Sequence, residues 1–573
     1  MQRASLLKGS YLIDHAKYRM WFTQMHDNKF VDLVINRSWI VIFIAIIYQG
    51  IYFASLPNLF AISCIVLVWL VFTKLFFRAR IIREYPLSFF MILCFVATQF
   101  CFPLLFTSLE QHPVVFNLVL PYQVFFHSTA AFVVLLITHA LYRTWVKQTT
   151  RNTPRVFIKL GFFDVPADLQ LWLMGIIGLA ATFYAYLYSP ASIAWQVGGA
   201  SAIDKAVQAL LPFSYAPFFI PFSRLYGKMK PPSTSLVPML VAYTLLLFII
   251  SIARNNRSGF MVGFSSAGFA YALGLLLGTY KTKFFTLRNC LIALSLGYLL
   301  TGPMADIGTA MVIVRGQRYD LPYSELIAQT FQVFNDKEAI EHYRLLDTEE
   351  ADPNGWDERY LKNIFLSRFC NIKYNDNSLV QAEKIWEYDS SMLKFSIDYV
   401  WAVFPQPVLN MFGMTDIDKV KLKGISFGDY LYYTAGAPSE VLGGYRLGHF
   451  AGTGMASFGW WYLLLLGIGM LPVFFLLDKF CMSMPASATP QGQGEASTSA
   501  QLRFSLCGLL ILDYIFHFMQ PETVLFFTNF LLRDWIQQVF LYFVMYQFTR
   551  IIFWLVSGNT AKPSLPRFHS LSR

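Results

Sequence analysis

Charge is scarce in this chain. Asp, Glu, Lys and Arg make up 14% of its 573 residues, while 56% are hydrophobic and 17% aromatic. A water-soluble fold has too little interior to absorb that much apolar side chain, so a polytopic membrane protein is expected. Cysteine is sparse as well. The seven present stand singly, most of them inside apolar runs (Cys64, Cys94, Cys101, Cys290, Cys507), and none has metal-ligand pairing, which argues against a zinc site or a disulfide framework. No glycine-rich phosphate loop stands in a strand-to-helix context, so a nucleotide cofactor is not indicated. The first 37 residues lack the apolar stretch and small-residue cleavage site of a signal peptide. The N-terminus is expected to stay, on the cytoplasmic side.

What is abundant is long apolar sequence. Stretches of about 20 residues, enough to cross the hydrocarbon core, fall near 39–56, 58–77, 86–107, 117–141, 168–190, 204–223, 235–252, 259–279, 289–313, 450–476, 504–528 and 534–556. The fold class expected is all-α and polytopic, with about twelve transmembrane helices and one large periplasmic loop between the ninth and tenth. The net charge of +11 raises the question of a nucleic-acid partner. Lys and Arg, however, crowd alternate connections (Arg78 to Arg83, Arg143 to Lys159, Arg224 to Lys230, Lys281 to Arg288) and leave the others nearly bare, so the basicity reads as topology. The expected organisation is a cytoplasmic segment 1–38, nine helices over 39–313, a periplasmic loop domain 314–449, a tenth helix 450–476, a disordered cytoplasmic linker 477–503, two helices within 504–558 and a cytoplasmic tail 559–573. The loop holds more than half of the 34 acidic residues.

Several constellations break these patterns. Arg254 and Arg257 sit in a tight outward turn between two apolar runs, where arginine is costly unless it snorkels to headgroups or meets an anion. Three apart, they share a face if the helix continues, and two guanidiniums match a phosphate or pyrophosphate. Arg315 and Arg318 form a second outward pair at the start of the large loop. The run from Phe365 to Ser378, containing Arg368 and Asp376, is polar and aromatic; it reads either as a sugar-binding segment or as a loop held by Asn and Asp turns. The loop ends on Gly443-Gly444-Tyr445-Arg446-Leu447-Gly448-His449, which places a histidine at the membrane boundary, able to act as a base or simply to bond a carbonyl. Asp513 and His517, four apart, read as a proton relay or a helix lock. Asp416-Ile417-Asp418 is too short and common an acidic triplet to assign a metal.

The arginine-serine-glycine turn at Arg257 to Gly259, the segments Ser367-Arg368-Phe369 and Asp376-Asn377-Ser378, the large late loop and the glycine-rich stretch at His449 together resemble the bacterial O-antigen and oligosaccharide repeat-unit polymerases of the Wzy type, within the O-antigen polymerase and ligase superfamily. The resemblance covers mainly Arg254 to Gly459. It implies that a glycan carried on undecaprenyl pyrophosphate is transferred, without metal or other cofactor, to a hydroxyl of another lipid-linked repeat unit at the periplasmic face of the inner membrane. Arg254, Arg257, Arg315 and Arg318 would stabilise the departing pyrophosphate, Arg368 and Arg446 a second pyrophosphate or an acidic sugar, and His449 or Asp376 would be the general base. Phe450 follows His449 where a ligase-like pattern has Asn. A repeat-unit flippase and a chain-length regulator are the partners the resemblance implies. A lipid-linked glycan ligase, differing chiefly in acceptor, and a transporter of anionic or lipid-linked glycan are the alternatives.

Overall fold

The structure is a computed structural model, and it describes residues 30–146, 155–185, 202–228, 235–253, 258–280, 286–317, 321–346, 355–385, 388–484, 501–518 and 521–556. Among these residues, nine helical spans are long and apolar enough to cross a membrane, Leu287–Ile313 being counted as one although it is interrupted at Gly302. The first is α1 (Phe30–Tyr52), which begins well before the expected boundary at 39, and it is followed by α2 (Leu56–Phe76), α3 (Pro86–Leu109) and α4 (Pro121–Trp145). Prolines open α3 and α4 at the first helical turn, where a missing N–H costs nothing. Next come α5 (Asp168–Phe183), α6 (Ile203–Tyr226), α7 (Leu236–Ala253), α8 (Ser258–Leu276), α9 (Leu287–Thr301) and α10 (Pro303–Ile313).

Three expected spans are not single helices. Residues 289–313 divide at Gly302-Pro303 into α9 and α10, because Pro303 cannot donate to the preceding turn. Residues 450–476 divide at Gly459, whose φ of 56° only glycine adopts cheaply, into α14 (Phe450–Phe458) and α15 (Trp461–Asp478). Among its described residues, the stretch 504–528 holds the short helices Leu506–Leu510 and α16 (Leu512–Phe518), a non-helical link over Pro521 to Leu525, and the start of the last span, α17 (Phe526–Val556), which begins earlier than expected. Within the loop region lie α11 (Ile372–Lys384), α12 (Ser390–Trp401) and α13 (Phe427–Thr434).

Hydrogen bonds fix which helix ends share a face of the bundle. Asp478, at the end of α15, accepts from the backbone N–H groups of Leu87 and Ser88 at the start of α3 (both 3.2 Å) and from Tyr142 at the end of α4 (3.0 Å). The antiparallel hairpin β1 (Cys481–Met484) and β2 (Gln501–Phe504) lies at this end too: Arg503 donates to the carbonyl of Tyr226, where α6 finishes. Arg78 to Arg83 and Arg143 belong to the same arginine-rich end. At the opposite end, Gln49 of α1 donates to Ser108 and to the carbonyl of His112, and Asn58 of α2 donates to Gln49. The loop region is fastened here: Asn117 donates to Asp357 (2.9 Å), Tyr360 to the carbonyl of Val114 (2.7 Å), and Glu110 accepts from the N–H groups of Lys362 and Asn363. Ends therefore alternate for these helices as the charge bias requires.

Helix contacts of this closeness depend on small residues. A Cβ on Gly178 of α5 would stand 2.1 Å from the Ser214 nitrogen of α6. One on Gly452 of α14 would stand 2.2 Å from the Ser378 carbonyl carbon of α11, with no flexible side chain to yield. Gly452→Val is expected to cost at least about 3 kcal/mol through forced separation of α11 and α14. The check is the amount and melting temperature of full-length protein in detergent, with Gly297→Ala, where a Cβ meets nothing within 4 Å, as control.

Candidate functional site

Helix α11 is both polar and deeply buried. In α11, Lys373, Asn375, Asp376, Asn377, Ser378 and Gln381 are all at most 4% exposed. Buried charge is tolerated only where it is paired and fully hydrogen-bonded. Asp376 meets this condition: it pairs with Lys373 at 2.9 Å and accepts from the backbone N–H groups of Leu120 (2.8 Å) and Val119 (3.1 Å), capping α4. Lys373 also donates to the carbonyl of Asn117 at 2.5 Å.

His449 is equally enclosed, at 2% exposure. It is the N-cap of α14, with Nδ1 accepting from the Ala451 N–H at 3.3 Å and Nε2 lying 3.1 Å from the Gln99 side-chain amide. An Nδ1 that accepts leaves the proton on Nε2, so the Gln99 amide presents its oxygen to His449 and its NH2 to Ser128. Ser378 accepts from the His449 backbone N–H at 2.8 Å. Asp376 and His449 thus join the loop region to the bundle, with their polar atoms spent on that task. Both residues expected as general base therefore sit enclosed and hydrogen-bonded where the loop region meets the bundle.

The arginines divide. Arg315 is exposed in the turn Val314–Gln317, and Arg368 is exposed just after the short helix Ile364–Ser367. Arg446 pairs with Asp429 (3.1 Å), donates to the carbonyl of Val441 and covers the ring of Tyr432 at 5.4 Å. Asp429 also accepts from the N–H groups of Gly443, Tyr445 and Arg446, a tight turn in which Tyr445 has φ 57°. Arg254, Arg257 and Arg318 lie outside the described residues. The flank of the first pair is defined: Ile252, near the end of α7, packs with Ile307 and Met311 of α10 and with Phe334. Asp513 is hydrogen-bonded to Ser265 of α8, the helix-locking alternative; the side chain of His517 lies outside the described residues. Among the described residues, no three His, Cys, Asp or Glu side chains gather as a metal would require, and Asp418 caps the helix Lys419–Gly424 through the N–H groups of Val420 and Lys421.

A different carboxylate has the freedom that Asp376 lacks. Pro521 to Leu525 form the non-helical link between α16 and α17, and this link closes the start of α14: Phe450 donates to the carbonyl of Pro521 (2.9 Å) and Thr453 to that of Glu522 (2.7 Å). The half-buried Glu522 side chain accepts from the Phe427 N–H at the start of α13 through Oε2, at 2.9 Å; among the described residues nothing donates to Oε1. Burial first, then the neighbouring charges of Asp429 and Glu358, raise its carboxyl to about 7 against the pull of the Phe427 N–H. Glu358 in turn accepts from Trp356 (3.2 Å) and from the Leu447 N–H, and Trp356 lies over Tyr432 with centroids 5.9 Å apart. Burial and the charges of Glu522 and Asp534 raise the phenol of Tyr399, opposed by Arg533, an exposed cation just before α17 reaches Trp535.

A carboxyl that titrates near neutrality, with one oxygen open, can accept a proton from a sugar hydroxyl. None of Glu522, Glu358, Trp356, Tyr432 or Arg533 was marked by the sequence reading. The available signal was Pro521-Glu522 inside a stretch otherwise read as one apolar span. No family model matches this chain, and neither a curated protein nor a solved structure does.

Proposed function

We propose that this protein is a polysaccharide polymerase that joins oligosaccharide repeat units carried on undecaprenyl pyrophosphate, at the periplasmic face of the inner membrane with both termini cytoplasmic. The observation that carries the reading is Glu522: a half-buried carboxyl with one oxygen pinned and the other open, set where the bundle is interrupted and the aromatic loop region meets it. In the proposed reaction an acceptor hydroxyl gives its proton to Glu522 as its oxygen bonds the donor's anomeric carbon. The bond from that carbon to the pyrophosphate oxygen breaks, and the lipid pyrophosphate leaves with the electron pair. Activation resides in the lipid-linked sugar, so no nucleotide is consumed.

Arg254, Arg257, Arg315, Arg318 and Arg368, joined by Arg533, are the cations proposed for the two pyrophosphates; Arg446 is engaged with Asp429 and serves the site by holding its turn. A repeat-unit flippase and a chain-length regulator are the proposed partners. Arg257→Ala is expected to slow chain extension roughly tenfold to a hundredfold by removing a donor to the leaving group. The check is a gel ladder of surface polysaccharide from a deletion strain complemented with wild type or variant at equal membrane level. A deletion that leaves a single repeat unit attached supports polymerisation; loss of all surface glycan moves export or ligation ahead of it.

A further inference from the structure

We propose that the arginine-rich end of the bundle holds a binding site for an anionic phospholipid, recognised through its phosphodiester headgroup. The chain leaves α2 through the turn at Phe77 and runs into the short helix Ala79–Glu84, which lies across the helix ends. Ile81 and Ile82 of that helix are buried, which turns Arg80 and Arg83, three apart, away from the core. On one side a cavity of about 740 Å³ opens between this helix and Val31 and Ile35 of α1, lined by Lys74, Arg78, Arg80 and Arg83 against Asp32 and Glu84. On the other side a cavity of about 460 Å³ opens toward α4, lined by Arg78, Arg80 and Arg143 against Glu84.

Arg78 stands between them with its guanidinium pinned on the carbonyl of Lys74 by two bonds, 3.1 and 2.6 Å. That geometry sets an orientation before any ligand arrives. Arg80 pairs with Glu84 at 2.9 Å, but its side chain is 76% exposed, and such a surface pair yields readily to a phosphate. Retention of positive charge on one side of a membrane explains the arginines; it does not require two adjoining cavities lined by them. The rim points to a lipid rather than a soluble phosphate. Leu75, which lines the smaller cavity, is 61% exposed, so an acyl chain has apolar surface to lie on directly beside the cations.

The test is native mass spectrometry of the full-length protein in neutral detergent, with phosphatidylglycerol or phosphatidylcholine added at equal concentration. Wild type is expected to keep phosphatidylglycerol in preference, and Arg80→Gln/Arg83→Gln to lose about fivefold in retention per charge removed. Arg143→Gln, in the smaller cavity, is a second variant whose fold does not depend on the first pair. Glycerol phosphate at millimolar concentration is expected to leave the adduct in place; displacement would assign the site to a soluble phosphate and overturn the lipid source. Equal retention of the two lipids by wild type, or undiminished phosphatidylglycerol on both folded variants, would overturn the site itself. Chain extension is not the readout, so failure here leaves the proposed function untouched.

Discussion

Glu522→Gln is expected to abolish chain extension, by about 10²- to 10⁴-fold, in a protein that folds and inserts normally. Glutamine matches glutamate in shape, and its side-chain oxygen can still accept from the Phe427 N–H, so the start of α13 stays capped. What is lost is the proton acceptor at Oε1. The pH dependence follows from the environment. With the carboxyl raised to about 7, the active ionised form grows as pH rises, so the wild-type rate should climb through about 7 and then level. Glu358→Gln keeps an oxygen for Leu447 and Trp356 but removes a negative neighbour, so the climb should move to lower pH. Stability changes in the opposite sense. A carboxyl whose folded value lies above its ordinary 4.5 favours the fold most when protonated, and that contribution is lost as pH rises through about 7. Glu522→Gln should therefore melt higher than wild type above pH 7 while being inactive, measured on full-length protein in detergent.

Lys373→Met is expected to prevent accumulation of the folded protein, at a cost of about 3–5 kcal/mol, because it removes the cation paired with Asp376 in a site with no exposure. The double variant Lys373→Met/Asp376→Asn should recover part of the loss. It removes the unpaired carboxyl and retains one side-chain oxygen for the Val119 and Leu120 N–H groups. Asp376→Asn alone should also accumulate poorly, since Lys373 then keeps only the Asn117 carbonyl as a strong acceptor. A general base behaves differently: its amide variant folds well and fails only in turnover. Protein level against activity per molecule separates these outcomes, and normal accumulation of all three variants would contradict the buried-pair reading.

Apolar length and the alternation of Lys and Arg were enough to place α1 to α4 and to assign which ends meet, because both signals act locally along the chain. The three broken spans were not legible. Gly459 and Pro521 were visible, but apolar composition continues through them, and only packing decides whether a helix does so as well. The run Phe365 to Ser378 reads as a sugar-binding segment or a loop held by Asn and Asp turns, and its second half belongs to α11 (Ile372–Lys384). That helix is buried, because Asp376, Ser378 and Asn375 find partners from α4 and the start of α14 that lie far away in sequence. Glu522 was missed for the same reason: its raised carboxyl comes first from burial and then from Asp429 and Glu358, and both the burial and these neighbours exist only once the loop region has folded against the bundle.

The most direct test is reconstitution of the full-length protein in vesicles with the host's undecaprenyl-pyrophosphate-linked repeat unit, following glycan length and release of lipid pyrophosphate together. The expected result is a ladder of products with one lipid pyrophosphate released per added repeat, and no ladder from Glu522→Gln at the same protein level. A ladder from both proteins would overturn the role of Glu522. Wild type that yields no longer glycan, while the lipid-linked unit crosses the vesicle membrane, would contradict polymerisation and assign the chain to transport.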